Sequence, residues 1–368
     1  MRDAGLLAAL HALRTPGIGA RGLAYVRHRW GSVDALCAAS ETDLTPYDKR
    51  LRTMLRKPPE AAHTWLSRWR CKAAISHLFA EDYPEALLHL DDPPPLLFVR
   101  GTPLAALPQP RVIMVGTRRP TAYGRETARR LAAELAEAGL SIGSGLARGI
   151  DGAAHEGALD AGGSTFAVLG TPIDRCYPAE HAPLARRILA RDGTIVSELP
   201  PGWATKPAFF AKRNRLLAAL ADVVIVVEGT IRSGAMITAR AALQLGVEVM
   251  AVPGRINDAQ AEGPLSLIRD GAAPVCDADS VLQALGQPPA GASTPAAVPT
   301  ADIPEAARVI LTALPAGGFR HIDELAHALD QPVAALLPRL LELELAGLVQ
   351  AQPGKYYGRT TVRTNEYT

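Results

Sequence analysis

Only four cysteines occur in 368 residues, Cys37, Cys71, Cys176 and Cys276, and no two of them form a CxxC pair. That scatter argues against a disulfide framework and a cysteine-based zinc site, and it suits a reducing compartment. No apolar run approaches the roughly 20 residues needed to span a membrane. The opening segment, MRDAGLLAALHALRTPG, is broken by His11 and Arg14 and has no small-residue cleavage site. It reads as an amphipathic helix rather than a signal peptide, so the expected location is the cytoplasm. Net charge is scarce as well, +2 overall. Acid is absent where it would matter most: no Asp or Glu lies within seven residues of Arg118 on either side.

What is present is a globular composition, 48% hydrophobic and 21% charged, with a length that suits two or three domains. The charge is unevenly spread. Residues 1–70 hold twelve Lys/Arg against six Asp/Glu, and residues 303–358 hold four against six. Residues 1–77 read as short helices with basic faces. Their best local signal is Thr15-Pro-Gly-Ile-Gly19, followed by Leu23, Val26 and Trp30 at helical spacing. Such a turn can bring amides to a DNA phosphate, but small helical domains also use it simply to change direction. From 78 to 285 the pattern is strand and helix in alternation, with apolar runs at 112–115, 140–142, 166–169, 194–196, 223–227 and 247–252. That spacing predicts right-handed crossover units on a parallel sheet. Residues 286–302 are rich in Pro, Ala and Gly and read as a tether. Beyond it, 303–360 holds three helical periods (306–314, 322–329, 333–345) and a hairpin-like end, the outline of a winged helix. Its acidic balance is poorly suited to a polyanion.

Three Gly-rich turns follow strand-like runs, and each opens a helix. Glycine lets backbone N–H groups approach an anion, and a helix N-terminus carries partial positive charge. The first turn, after Val112–Val115, carries Arg118 and Arg119, with Arg125, Arg129 and Arg130 beyond. The second is Ser144-Gly-Leu-Ala-Arg-Gly-Ile-Asp151, where Asp151 is expected to cap the next helix. An Asp151/His155 pair could bind a metal or work as acid and base, but no third ligand or nucleophile accompanies it. The glycine spacing fits a dinucleotide loop badly, and no carboxylate ends the next strand to take a ribose. The third turn, Ser233-Gly234, follows the buried run Ala221–Val227 and is a further candidate anion site. Lys212, Arg213 and Arg215 cluster in Phe210-Ala-Lys-Arg-Asn-Arg-Leu216 without an acid nearby, and arginine forks suit phosphates. Glu228 could be a general base; more simply, it accepts from Arg213 or Arg215 and ties the turns together.

These motifs resemble the DNA-processing protein A family, DprA, also called Smf. The resemblance rests on VGTRRPTAYG (115–124), SGLARGIDGAAH (144–155), Tyr177-Pro178, SELPPG (197–202), RNR (213–215), VVEGTIRSGAMITARAA (226–242), VMAVPG (249–254) and LIRDGA (267–272), in family order and spacing over residues 78–285. It implies a Rossmann-like α/β core, a sterile-alpha-motif-like helical domain in front and a winged helix behind. It also implies a dimer without catalytic activity, metal or cofactor, which binds single-stranded DNA, loads RecA onto it and serves natural transformation. Family DNA lies over the carboxyl edge of the sheet. The resemblance assigns that role here to Gly116, Thr117 and Arg118, and to Ser144, Gly145, Ala147, Gly149 and Asp151.

Three positions depart from the family pattern: Ala211 replaces a proline, Leu265 an asparagine, and Ala179-Glu180-His181-Ala182 replaces a segment that often carries a basic residue. The last lowers the expected DNA affinity. The rival reading is a nucleotide phosphoribohydrolase of the lysine-decarboxylase-like type. Its P-G-G-x-G-T-x-x-E signature ends in a catalytic glutamate, whereas this chain has Arg232-Ser-Gly-Ala-Met-Ile-Thr-Ala-Arg240 there, with Glu228 ahead of the turn.

Overall fold

The computed structural model describes residues 4–14, 19–55, 62–70, 72–287, 305–314, 320–345, 349–352 and 354–359. The Pro-Gly-Ile turn after Thr15 and the tether from 288 onward lie outside them. Among the described residues, no helix is long and apolar enough to cross a membrane.

Nine strands form one sheet: β1 (Ala74–His77), β2 (Leu96–Gly101), β3 (Arg111–Val115), β4 (Ser141–Ser144), β5 (Thr165–Leu169), β6 (Thr194–Ser197), β7 (Val223–Val226), β8 (Glu248–Ala251) and β9 (Ala273–Pro274). Their order is β1-β2-β6-β5-β4-β3-β7-β8-β9. Strands β3 to β9 are parallel, while β2 pairs antiparallel with β6 and β1 with β2. The six expected apolar runs lie at β3 to β8, within a residue or two at their ends. Ala74–His77 belongs to the sheet, not to the helical segment assigned to residues 1–77, because it pairs residue for residue with Leu96–Val99.

From β3 the chain steps outward through β4, β5 and β6, then returns to β7 on the other flank of β3. In open α/β sheets that reversal leaves a crevice at the strands' carboxyl ends. Both faces of the sheet are covered. Val112 and Met114 pack into one apolar layer with α6 (Ala122–Glu137) and α7 (Ile150–Asp160). Ile113 and Val115 point into the other, with α8 (Ala182–Ala190), α9 (Pro207–Ala219) and α10 (Gly234–Gln244). The period-two alternation within continuous apolar runs is what a strand buried on both faces requires. Each such Val or Ile contributes about 1.5–3 kcal/mol on burial.

The N-terminal helices α1 (Ala4–Arg14), α2 (Gly19–Trp30), α3 (Val33–Ala38), α4 (Pro46–Leu55) and α5 (Ala62–Arg70) share the second layer. Leu10, Leu23 and Leu36 lie in one core with Phe98 of β2, and Trp69 meets the Phe98 ring edge-on at 5.5 Å. Residues 1–290 therefore form one compact unit. A second unit, 291–368, holds α11 (Glu305–Ala313), α12 (Ile322–Leu329) and α13 (Val333–Leu345). With them is a small sheet of β10 (Arg320–His321), β11 (Val349–Gln352) and β12 (Tyr356–Arg359) in the order β10-β12-β11. Ile310, Leu325, Leu336 and Leu340 fill its core. Helices first and a hairpin last make it a winged helix.

Candidate nucleic-acid interface

A groove of about 510 Å³ opens at the carboxyl ends of β3 and β7, with α9 as one wall. The loop after β3 is held from both sides. Thr117 N donates to Glu228 O at 2.7 Å, and Thr117 O accepts from Ile150 N at 3.2 Å. Thr121 caps α6, its Oγ1 accepting from Gly124 N at 3.0 Å. Glu228 accepts from Thr121 N at 2.9 Å and from Thr121 Oγ1 at 2.5 Å. This corrects the sequence reading of that acid: Glu228 bonds neither Arg213 nor Arg215 nor Arg118, because the α6 cap takes its carboxylate. Arg118 is exposed, and among the described residues no acid pairs with it. Its guanidinium lies over the Phe210 ring, 5.9 Å from the centroid.

The loop after β4 is organised from within. Asp151 Oδ2 accepts from Gly145 N at 3.1 Å and from Ala147 N at 3.2 Å. Asp151 is therefore not the cap of α7. Gly149 holds that position with φ 80°, and the Asp151 side chain turns back into the loop. Two amides expected to face a phosphate already hold an internal carboxylate. Any side chain at 149 would meet Thr117 O at 2.3 Å, so the backbone approach and the left-handed φ both require glycine. Ser144 is also buried, its Oγ donating to Met114 O at 2.6 Å, which ties β4 to β3. His155 does not engage Asp151. Its Nδ1 meets Thr165 Oγ1 at 2.7 Å, and burial pushes the imidazole down to about 3.

The cationic cluster on α9 divides. Arg213 is only 5% exposed and reaches under the loop. Its Nη1 donates to Gly145 O at 2.9 Å and to Val168 O, and Nε donates to Asn214 Oδ1 at 3.2 Å. Burial lowers it to about 10, with Asp151 acting in the opposite sense. Lys212 and Arg215 do not line the groove. Both pair with Glu198, at 3.2 and 2.6 Å, and Arg215 also pairs with Asp92 at 3.2 Å. The acids that neutralise them are remote in sequence, which is why the run looked unopposed. Ser233 and Gly234 line the groove at the start of α10, and Asn214 Nδ2 donates to Gly234 O at 3.1 Å.

Gly116, Thr117, Arg118, Arg119, Ala147, Asp151, Arg213, Ser233 and Gly234 thus converge on the groove. Ser144, Gly145 and Gly149 support it from below, and Lys212 and Arg215 lie elsewhere. Sequence reasoning overlooked two aromatic rings. Phe210 and Tyr177 stand 5.2 Å apart beside Arg118, in a recess that also holds Arg148. An apolar pair preceding the basic run (Phe209-Phe210) was the available signal. Glu180 holds Arg148 at 2.6 and 2.7 Å through two parallel bonds, which cancels a cation at that end. Among the described residues, no group of three or more His, Cys, Asp or Glu could hold a metal.

Sheet, switch point and appended units define a Rossmann-like α/β protein with an N-terminal helical addition and a separate winged helix. More particularly, the chain belongs to the DNA recombination-mediator protein A family, also known as DprA or Smf. Residues 74–286 match that family and residues 294–355 match the DprA winged helix domain. It is 37% identical over 320 residues to Protein Smf of Escherichia coli K12, covering 84% of this chain and 83% of that one. The X-ray structure of DNA processing protein A from Streptococcus pneumoniae is similar, with a TM-score of 0.64 and 32% identity, covering 75% of this chain and 96% of that one. The Helicobacter pylori protein, solved to describe its single-stranded DNA binding mode, matches with a TM-score of 0.52 and 34% identity, covering 58% of this chain and 96% of that one.

Proposed function

We propose that the protein binds single-stranded DNA in the groove between β3 and β7, without catalysis, as a mediator that loads RecA onto incoming strands in natural transformation. It would act as a cytoplasmic homodimer. The observation that carries the DNA reading is the Arg118–Phe210 pair: an exposed guanidinium without an acid partner beside an aromatic face. A guanidinium grips phosphate in two-bonded fashion, and a ring accepts any base by stacking, which together suit a flexible strand of any sequence. The binding named for the Helicobacter pylori relative supports the same reading. RecA loading and the transformation role rest on family membership alone. The dimer rests on family membership and on the apolar side chains Leu265, Leu267 and Ile268 late in the sheet domain, of which Leu267 is 7% exposed and packs inside. The hydrolase alternative gains nothing from the geometry, because Glu228 is taken up by the α6 cap.

Titration with single-stranded and duplex DNA of equal length, at two salt concentrations, tests the proposal. Single strands should bind more tightly. Arg118→Ala should weaken that binding by about 1.5–3 kcal/mol and flatten the salt dependence by about 0.7 of a log unit per log unit. Thermal stability should be unchanged, because the side chain is exposed. Equal affinity for duplex, or an Arg118→Ala protein that binds like wild type, would overturn the reading.

A further inference from the structure

Beside the central groove, on the same carboxyl edge of the sheet, lies a second cavity of about 580 Å³. That size falls in the range of small-ligand sites. The two recesses adjoin along one loop. Thr117, Arg118 and Arg119 line the groove, and a few residues on, Thr121 and Tyr123 line the cavity. The cavity mouth therefore lies within a few residues of Arg118 along the chain.

The chemistry inside differs from that of the groove. Tyr123 is 56% exposed, yet its hydroxyl is anchored, donating to Pro253 O at 3.2 Å. A ring on a helix whose far end is tied down is a fixed platform, so stacking on it costs little side-chain entropy. The walls carry two carboxylates, Glu228 and Asp258. Each already accepts from backbone, Glu228 from Thr121 N and Asp258 Oδ1 from Gln260 N at 2.8 Å. Two fixed negative charges disfavour phosphate inside the cavity by like-charge repulsion. Asp258, with one bond drawn from its roughly four lone-pair sites, accepts a further N–H donor, whereas both Glu228 oxygens already accept from Thr121. Every nucleobase presents at least one N–H donor at its edge. Arg255, exposed, is the one cation among the described lining residues.

We propose that this cavity is a second nucleobase subsite. Resting on the reading that the central groove holds single-stranded DNA, it takes a base further along the same strand. The base stacks on the Tyr123 ring and turns its N–H edge toward Asp258, while its phosphate stays outside at Arg255. A free mononucleotide carries the same base and phosphate, so the test must separate the two sources.

The experiment measures binding of labelled dT oligomers, lengthened one nucleotide at a time, to the full-length protein and to Tyr123→Ala, Tyr123→Phe and Arg255→Ala. For the shortest oligomers that bind, Tyr123→Ala should match wild type. Beyond the length that reaches the cavity, it should bind about 5- to 150-fold more weakly, and Tyr123→Phe, which keeps the ring, should stay close to wild type. Arg255→Ala should flatten the salt dependence for the longer oligomers alone. Tyr123→Ala matching wild type at every length, or losing affinity equally at every length, would overturn the subsite. Should Tyr123→Ala fail to fold, Arg255→Ala decides: unchanged salt dependence at all lengths overturns the proposal. Saturable binding of dTMP, abolished by Tyr123→Ala while oligomer binding is untouched, would assign the cavity to free nucleotides and remove it from the strand's path. Absence of oligomer binding by wild type itself would overturn the central-groove reading instead.

Discussion

Arg118 faces solvent over the Phe210 ring, whereas Arg213, from the helix wall opposite, is bonded to the carbonyls of Gly145 and Val168. Arg148, nearby, is held by Glu180. These three arginines, at the groove or in the recess beside it, therefore differ in what they can offer a ligand. The Arg148–Glu180 pair is exposed, and such pairs contribute about 0–1 kcal/mol to stability. Glu180→Gln should leave the melting temperature nearly unchanged and free a guanidinium at the rim. Single-strand affinity should rise and the salt dependence steepen by up to about 0.7 of a log unit. An unaltered salt dependence would show that Arg148 stands off the DNA path. His155 sets a different dependence, on pH. Its folded-state value of about 3 lies below the ordinary 6.5, chiefly through burial, so the unfolded chain takes up the proton first as pH falls. The stability held by neutral His155 is complete above about pH 6.5. It is lost toward pH 3 at up to about 1.4 kcal/mol per pH unit. Urea midpoints at pH 7 and pH 5, a window above the ordinary titration of carboxylates, should fall in wild type and fall less in His155→Gln.

At the level of elements, the loop between β4 and α7 is defined by close approach. Gly149→Ala would place a methyl 2.3 Å from Thr117 O in a left-handed backbone. It should destabilise the protein by about 1–3 kcal/mol and weaken DNA binding by moving the Arg118 loop with it. A variant with wild-type stability and affinity would mean that the loop re-forms easily. The central strands were readable because β3 to β8 are short, wholly apolar and followed by glycine turns. Strands β1 and β2 escaped notice because they join antiparallel at the edge and open no helix. The groove was legible in part. Arg118 stood out by the lack of nearby acid, and the structure leaves it unpaired. The same argument misplaced Lys212 and Arg215, whose partners Glu198 and Asp92 come from elsewhere in the sequence. Local charge counts cannot see across a fold. Nor could periodicity reveal that Asp151 turns backward rather than capping its helix.

On the scale of the whole molecule, the N-terminal helices and the sheet share one core, while the winged helix has its own. Truncation after Gln287 should therefore leave a folded protein that still binds single strands, seen as retained circular dichroism and a retained cooperative melt. Near-total loss of binding with the fold intact would show that the winged helix supplies DNA contacts. Removal of residues 1–70 should be far more damaging, because it strips Leu10, Leu23 and Leu36 from the core around Phe98.

Asp151 already satisfies Gly145 and Ala147, so the β4 loop arrives with its own counter-ion built in. A phosphate drawn to this loop must then be met by side chains on the rim rather than by the amides of Gly145 and Ala147. Side chains can be exchanged one at a time without disturbing the scaffold. The strength of the grip is thus an adjustable property, open to gradual retuning by surface substitution in either direction, while the architecture beneath it stays fixed.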